Sequence, residues 1–137
     1  MSNPILLDTC ACIWLMDDEL PPQALQLLTD AFNADQPSYV SPISAWEIGM
    51  LSRKGRLKSQ LAPERWFSRL LSLQGLAPAE MPVPLLLQAG LLDGDLHGDP
   101  ADRIIAATAR EYGYTVMTRD RALLDYGRQG YLSVVAC

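Results

Sequence analysis

Ile5-Leu6-Leu7-Asp8 is the segment from which the fold class follows most directly. Its three apolar residues form a short, continuous run, which is typical of a strand that is buried on both faces. Strands of this kind belong to parallel sheets that carry helices on both sides. Because the run ends at an aspartate, we expect a buried strand with a carboxylate at its carboxyl end.

Strand and helix patterns alternate on the C-terminal side of this segment. The clearest helix is 100–112, because Pro100 suits a first helical position and Gly113 suits the residue after the last. Alternating elements require parallel pairing through right-handed crossovers. The sequence therefore predicts one α/β domain over residues 1–137, with a central parallel sheet of four to five strands flanked by helices. The further strands are predicted at 38–41, 76–81, 114–118 and 131–136, and the further helices at 9–16, 21–32, 45–51 (with Ser44 as N-cap), 63–73, 84–92 and 120–126.

The composition limits the class of protein. The net charge of −5, with 16 acidic against 11 basic residues, argues against a nucleic-acid partner held by phosphate contacts alone, unless cations gather on the carboxylates. No apolar run approaches the roughly 20 residues that a membrane span needs, and the N-terminus lacks a signal-peptide pattern, so we expect a cytoplasmic protein without membrane association. The three cysteines are expected to be buried free thiols.

Four acids lie where one edge of the predicted sheet should be. Asp8 and Asp120 follow strands, whereas Glu47 and Asp102 lie in the first turns of helices. Ligands of open parallel sheets bind outside the carboxyl ends of the strands. Converging carboxylates need cations, and oxygen ligands favour Mg²⁺ or Mn²⁺. Such a centre can hydrolyse a phosphodiester with metal-activated water. Each acid also has an ordinary alternative as a helix cap or dipole partner, least readily Asp8.

Taken together, these acids and their neighbours resemble the PIN-domain family, and specifically the VapC-type ribonuclease toxins of bacterial type II toxin–antitoxin modules. The resemblance spans nearly the whole chain, and the order and spacing of its motifs carry it. The motifs are residues 6–9, 43–48, 97–109 and 118–120.

The resemblance implies a function and a site. It implies an endoribonuclease that cleaves RNA, often tRNA or ribosomal RNA, with Mg²⁺ or Mn²⁺. It also implies a homodimer and a VapB-like antitoxin whose C-terminal segment covers the acidic pocket. Thr9 and Thr118 would orient the acids or bound water. Asp99 stands three residues before Asp102, and which of the two is the closer ligand stays open. The implied metal-binding, catalytic carboxylates are Asp8, Glu47, Asp102 and Asp120, with Asp99 as a further metal ligand.

Several other residues receive weaker predictions. Arg103 and Arg119 lie near the proposed site and are candidates for contact with the RNA backbone. His97, the only histidine, is interpreted as a loop residue that shapes the turn at Asp99. The tryptophans are expected to pack in the core or at a dimer interface, rather than to stack on bases.

Three alternative functions share parts of this pattern. A Mg²⁺-dependent phosphoacceptor signalling domain needs a lysine after the last strand and an acidic pair after the first, and both are missing. A phosphatase of the haloacid type needs Asp-x-Asp where the chain has Asp8-Thr9-Cys10. A PIN-like module that binds RNA or a partner without cutting remains open, although the full set of four acids argues against it.

Overall fold

The computed structural model describes residues 3–137, in which helices and strands alternate along the chain. Within this range no helix combines the length and apolarity needed to cross a bilayer. The elements in chain order are β1 (Ile5–Leu7), α1 (Thr9–Met16), α2 (Pro22–Asn33), β2 (Ser38–Val40), α3 (Ile43–Arg53), α4 (Pro63–Leu71), β3 (Leu76–Pro78), α5 (Val83–Gly90), α6 (Pro100–Tyr112), β4 (Thr115–Thr118), α7 (Arg121–Arg128) and β5 (Ser133–Ala136).

One parallel sheet unites the five strands of the described residues, in the order β3-β2-β1-β4-β5. In the centre, Leu6 of β1 lies opposite Tyr39 of β2 on one side and Val116 of β4 on the other. The predicted α/β architecture is therefore confirmed. Because the chain adds strands first on one side of β1 and later on the other, the topology changes direction between β1 and β4. A crevice at the carboxyl ends of strands is expected at such a point.

The sheet is buried on both faces, which explains the uninterrupted apolar run in β1. Leu7 packs on one face with Trp66 and Leu70 of α4. Leu6 packs on the other face with Ile105 of α6. Each of these five side chains is at most 1% exposed. Helices on both sides thus hold β1 at a fixed depth, and the residue that follows it is placed at the rim of a rigid sheet.

Helix α6 begins and ends as the sequence predicts. The side chain of Asp99 accepts a hydrogen bond from the main-chain N–H of Ala101 at 2.9 Å and so caps the helix. Gly113 ends it with a positive φ of 73°, a left-handed conformation that favours glycine. These two local signals set the position of Asp102 in the first turn.

Three local predictions need correction. Ser44 is not an N-cap, because the helix begins one residue earlier, at Ile43, and Pro42 before it already has a helical ψ of −25°. The expectation of buried thiols is wrong for Cys10, which is exposed on α1, whereas Cys12 is buried. Trp46 is 56% exposed and does not join the core of the chain, which leaves only its dimer alternative as a prediction.

Candidate metal centre

Asp8 is the most buried of the four acids predicted to bind metal. Its main-chain N–H donates to Met117 O at 3.1 Å, which extends the pairing of β1 with β4 by one residue. Its Oδ1 accepts from the N–H of Ala11 at 2.8 Å and caps α1, while its Oδ2 accepts from Thr118 Oγ1 at 2.5 Å. The residue is only 3% exposed. Asp8 therefore has a fixed orientation set by two neighbouring strands and one helix.

Glu47 is held by Thr9, the residue that follows Asp8. The hydroxyl of Thr9 donates to Glu47 Oε1, and Thr9 Oγ1 also lies 2.8 Å from Ser44 Oγ. Since the single hydroxyl proton of Thr9 is directed at the carboxylate, Ser44 donates to Thr9. Sequence reasoning missed this role of Ser44, although its spacing of three residues from Glu47 places both near one face of α3.

Asp102 and Asp120 lie close together, and His97 lies beside them. One ligand atom of each of these three residues lies within 4.8 Å of the others. Asp102 faces this group with a side chain that is 18% exposed. Asp120 caps α7 by accepting from the N–H of Leu123 at 3.0 Å.

Asp99 is not part of the group formed by His97, Asp102 and Asp120. It is exposed, and its Oδ1 accepts from the main-chain N–H groups of Ala101 and Asp102 at 2.9 and 3.3 Å. Among the described residues Asp102, and not Asp99, is grouped with Asp120 and His97. Asp99 instead acts on Glu47, whose pKa it helps burial to raise. Which of the two aspartates is the closer ligand stays a prediction.

Burial and mutual repulsion raise the pKa values of three of the candidate acids. Burial, and then repulsion by Asp120, Asp99 and other acids, raises the pKa of Asp102 to about 7. Burial raises the pKa of Asp8 despite the hydrogen bonds that it accepts, and it raises the pKa of Glu47 despite the hydroxyl of Thr9. These carboxylates are therefore costly to ionise together at neutral pH.

A divalent cation fits this set of donors. Apart from the imidazole of His97, the grouped donors are carboxylate oxygens, the ligands that Mg²⁺ and Mn²⁺ prefer. A bound cation would remove the repulsion that raises these pKa values. The arrangement therefore suits phosphoryl chemistry better than nucleophilic catalysis by a side chain.

The two arginines predicted to contact RNA both have structural contacts. Arg103 Nε donates to Ala89 O and its Nη1 to Leu96 O, each at 2.9 Å, so it braces the loop between α5 and α6. Its guanidinium thus has main-chain partners in the described structure, and its contact with RNA stays a prediction. Arg119 lies 3.6 Å from the ring centroid of Trp14, and its Nη2 donates to Cys137 O at 2.8 Å. Arg119 is exposed, and its contact with RNA stays a prediction.

A parallel α/β sheet with carboxylates gathered at its switch point defines a class of protein, and comparison with known proteins gives that class a name. The chain belongs to the PIN domain family, whose model matches residues 5–129. It is similar to the protein named Ribonuclease VapC22 from Mycobacterium tuberculosis, with 29% identity over 126 residues that cover 89% of this chain and 91% of that protein.

Solved structures show the same fold. One is described as VapBC2 from Rickettsia felis bound to a DNA fragment from their promoter, with a TM-score of 0.71, 19% identity, and coverage of 96% of this chain and 97% of that one. Another is described as DNA-bound VapBC from Salmonella typhimurium, with a TM-score of 0.59, 21% identity, and coverage of 99% and 98%. At these identities the likeness concerns the fold.

Proposed function

We propose that this protein is a Mg²⁺- or Mn²⁺-dependent endoribonuclease, the toxin of a VapBC-type toxin–antitoxin module. The observation that carries the proposal is an acidic group in which ligand atoms of Asp102 and Asp120 lie within 4.8 Å of each other. Glu47 and Asp8 are near enough to add to the effect of burial in raising the pKa of Asp102. Membership of the PIN domain family and similarity to a protein named as a ribonuclease support it. An RNA substrate also favours a cytoplasmic location.

The residues of the centre have distinct parts in this proposal. A bound divalent cation supplies Lewis acidity toward the phosphodiester and makes an attacking water more acidic. Asp8, Glu47, Asp102 and Asp120 would hold the cation. Asp99, which adds to the effect of burial in raising the pKa of Glu47, would be a further metal ligand. The hydroxyls of Thr118 and Thr9 fix the orientation of Asp8 and Glu47. Preorganised ligands of this kind lower the reorganisation needed during the reaction.

A VapB-like antitoxin is the proposed protein partner. The solved complexes described as VapBC share the fold of this chain, which supports a partner of that class. An arginine-bearing segment of the antitoxin would meet the acidic centre with complementary charge and exclude RNA.

A homodimer is the proposed assembly. Val83, Leu87 and Leu91 on and beside α5 are 70%, 64% and 80% exposed, and so form an apolar surface that a lone monomer would leave in water. Sedimentation equilibrium should give twice the monomer mass for the wild type and the monomer mass for Leu87→Glu. A monomeric wild type would contradict the proposed dimer.

The activity is tested by incubating the purified protein with a pool of structured RNA and Mg²⁺ or Mn²⁺. We compare the wild type with Asp8→Asn, which preserves the shape and the capping oxygen of the side chain, and with Asp30→Asn as a matched control on exposed α2. Internal cleavage is expected in the wild type and the control, and it should be lost in Asp8→Asn and in EDTA.

Two outcomes would contradict the proposal. Cleavage that persists in EDTA or in Asp8→Asn would exclude a mechanism based on these carboxylates. RNA binding without cleavage, with either cation, would favour the alternative of a PIN-like binding module.

A further inference from the structure

His97 has both ring nitrogens engaged, in the loop that joins α5 to α6. Its Nδ1 accepts a hydrogen bond from the main-chain N–H of Asp99 at 3.1 Å. Its Nε2 lies 3.1 Å from Oδ2 of Asp102, one of the proposed cation ligands. The loop prediction for His97 is confirmed by the first contact, but the second was not anticipated.

The first contact sets the protonation of the ring. A main-chain amide can only donate, so Nδ1 presents its lone pair to Asp99 and carries no proton. The proton of the neutral imidazole is then on Nε2, the nitrogen that faces Asp102. His97 is therefore a hydrogen-bond donor to the Asp102 carboxylate.

This assignment argues against His97 as a direct ligand. Its position near Asp102 and Asp120 would allow ligation on distance alone. A histidine ligand, however, binds a metal through a nitrogen lone pair and usually donates its other N–H to an outer group. Here the lone pair faces a main-chain amide and the N–H faces the carboxylate, which is the reverse arrangement.

Thr118, the last residue of β4, also accepts from a main-chain amide and donates to a carboxylate. Its Oγ1 accepts from the main-chain N–H of Asp120, two residues later, at 2.9 Å, and donates to Asp8 at 2.5 Å. His97 likewise accepts from the amide two residues later and donates to a carboxylate of the centre. In each case a main-chain amide fixes the donor, and the donor fixes the acid.

The backbone that carries His97 is itself held in place. Arg103 Nη1 donates to the carbonyls of Leu96 and His97 at 2.9 and 3.5 Å, and its Nη2 donates to Gly90 O at 3.4 Å. The imidazole is therefore oriented from both its main chain and its ring.

We propose that His97 is a positioning residue for Asp102: its Nε2–H holds Oδ2 and would leave the other carboxylate oxygen available to a cation. This inference rests on the proposed metal-dependent function and deepens it. It gives Asp102 a neutral donor of its own, as Thr118 gives one to Asp8 and Thr9 gives one to Glu47.

The first test needs neither a variant nor a metal. Because His97 is the only histidine, long-range ¹⁵N–¹H NMR of the ¹⁵N-labelled protein in EDTA reports its tautomer without ambiguity. We expect an unprotonated Nδ1 and a protonated Nε2 at pH 8. The opposite tautomer would overturn the inference.

The second test separates the two ends of the ring. In His97→Gln the side-chain amide nitrogen replaces Nε2 as donor to Asp102, whereas in His97→Asn the amide oxygen replaces Nδ1 as acceptor for Asp99. Mn²⁺ affinity is measured by calorimetry, and thermal unfolding in EDTA confirms that each variant folds. We expect His97→Asn to bind Mn²⁺ about 10- to 100-fold more weakly, and His97→Gln to recover most of the affinity.

The reverse order, with Asn recovering the affinity and Gln losing it, would assign His97 to loop structure alone and overturn the inference. Pulsed electron paramagnetic resonance of the Mn²⁺-loaded wild type provides a second check. A coupling from a directly bound ¹⁴N would overturn the inference, and its absence supports it.

If the wild type binds no Mn²⁺ at all, the proposed function fails and the positioning role fails with it, whereas the other negative results leave the proposed function intact.

Discussion

Replacing Asp102 by Asn should stabilise the metal-free protein at neutral and alkaline pH. The substitution keeps the size of the side chain and an oxygen that can accept from His97 Nε2, but it removes the negative charge. In the wild type that charge is opposed by burial and by the neighbouring acids, which raise its pKa from 3.8 to about 7. The difference in the free energy of unfolding between variant and wild type should therefore measure the cost of the buried, repelled charge on Asp102.

The size of the effect follows from the pKa. A rise from 3.8 to about 7 corresponds to about 4 kcal/mol between the protonated and ionised forms of the folded protein. The Asp102 side chain is 18% exposed, and its repulsion is shared with neighbours that can take up protons themselves. We therefore expect about 2 kcal/mol of net stabilisation in Asp102→Asn at pH 8.

The dependence on pH has a definite sign. Between pH 4 and pH 7 the folded wild type retains a proton on Asp102 that the unfolded chain has released. The free energy of unfolding of the wild type therefore falls as pH rises through this window. The stability that the protonated Asp102 contributes is fully present only below the pKa of the unfolded chain. The Asn variant has no such proton. The difference between variant and wild type should grow from near zero at pH 4 to its full value at pH 8.

The assay is urea-induced unfolding in EDTA at a series of pH values, with Asp30→Asn as a control. The control should not reproduce this growth of the difference with pH, because Asp30 is exposed on α2 and is not among the acids that act on Asp102. Saturating Mn²⁺ should reverse the ranking at pH 8, since binding stabilises the wild type more than a variant that lacks a ligand. A variant that is less stable than wild type in EDTA at pH 8 would refute the reasoning.

Two further substitutions test the site and the packing. Thr118→Val should weaken Mn²⁺ binding about 10- to 100-fold in a calorimetric titration, because it removes the hydroxyl that orients the acid after β1. Thr108→Val, a buried threonine inside α6, should leave the affinity unchanged, and equal losses in both would contradict the role of Thr118. Gly127→Ala should destabilise the protein by about 1–3 kcal/mol, since a Cβ there would lie 2.5 Å from a methyl group of Val134. At Gly49 an added Cβ would meet nothing within 4 Å, so Gly49→Ala should be neutral or stabilising in thermal unfolding. A Gly49→Ala protein that is less stable than Gly127→Ala would contradict the packing argument.

The elements and their chemistry were accessible from short segments of the chain. The apolar run of β1 indicated a strand buried on both faces, and Pro100 and Gly113 marked the two ends of α6. Such signals act over a few residues, because a cap or a stop depends on the local main chain. For the same reason, the position of Asp102 in a first helical turn was predictable without knowledge of the rest of the fold.

Contacts between distant residues required the folded chain. Thr118 and Asp8 are 110 residues apart, and they meet only because β1 and β4 are neighbours in the sheet. No local pattern encodes that adjacency, since the free energy of strand pairing comes from packing and hydrogen bonds summed over the whole sheet. The Nε2 contact of His97 and the carbonyl contacts of Arg103 likewise depend on how the loop between α5 and α6 lies against these two helices. The candidate acids could thus be selected from the sequence, whereas the hydrogen-bond donors that orient them became visible only in the packed structure.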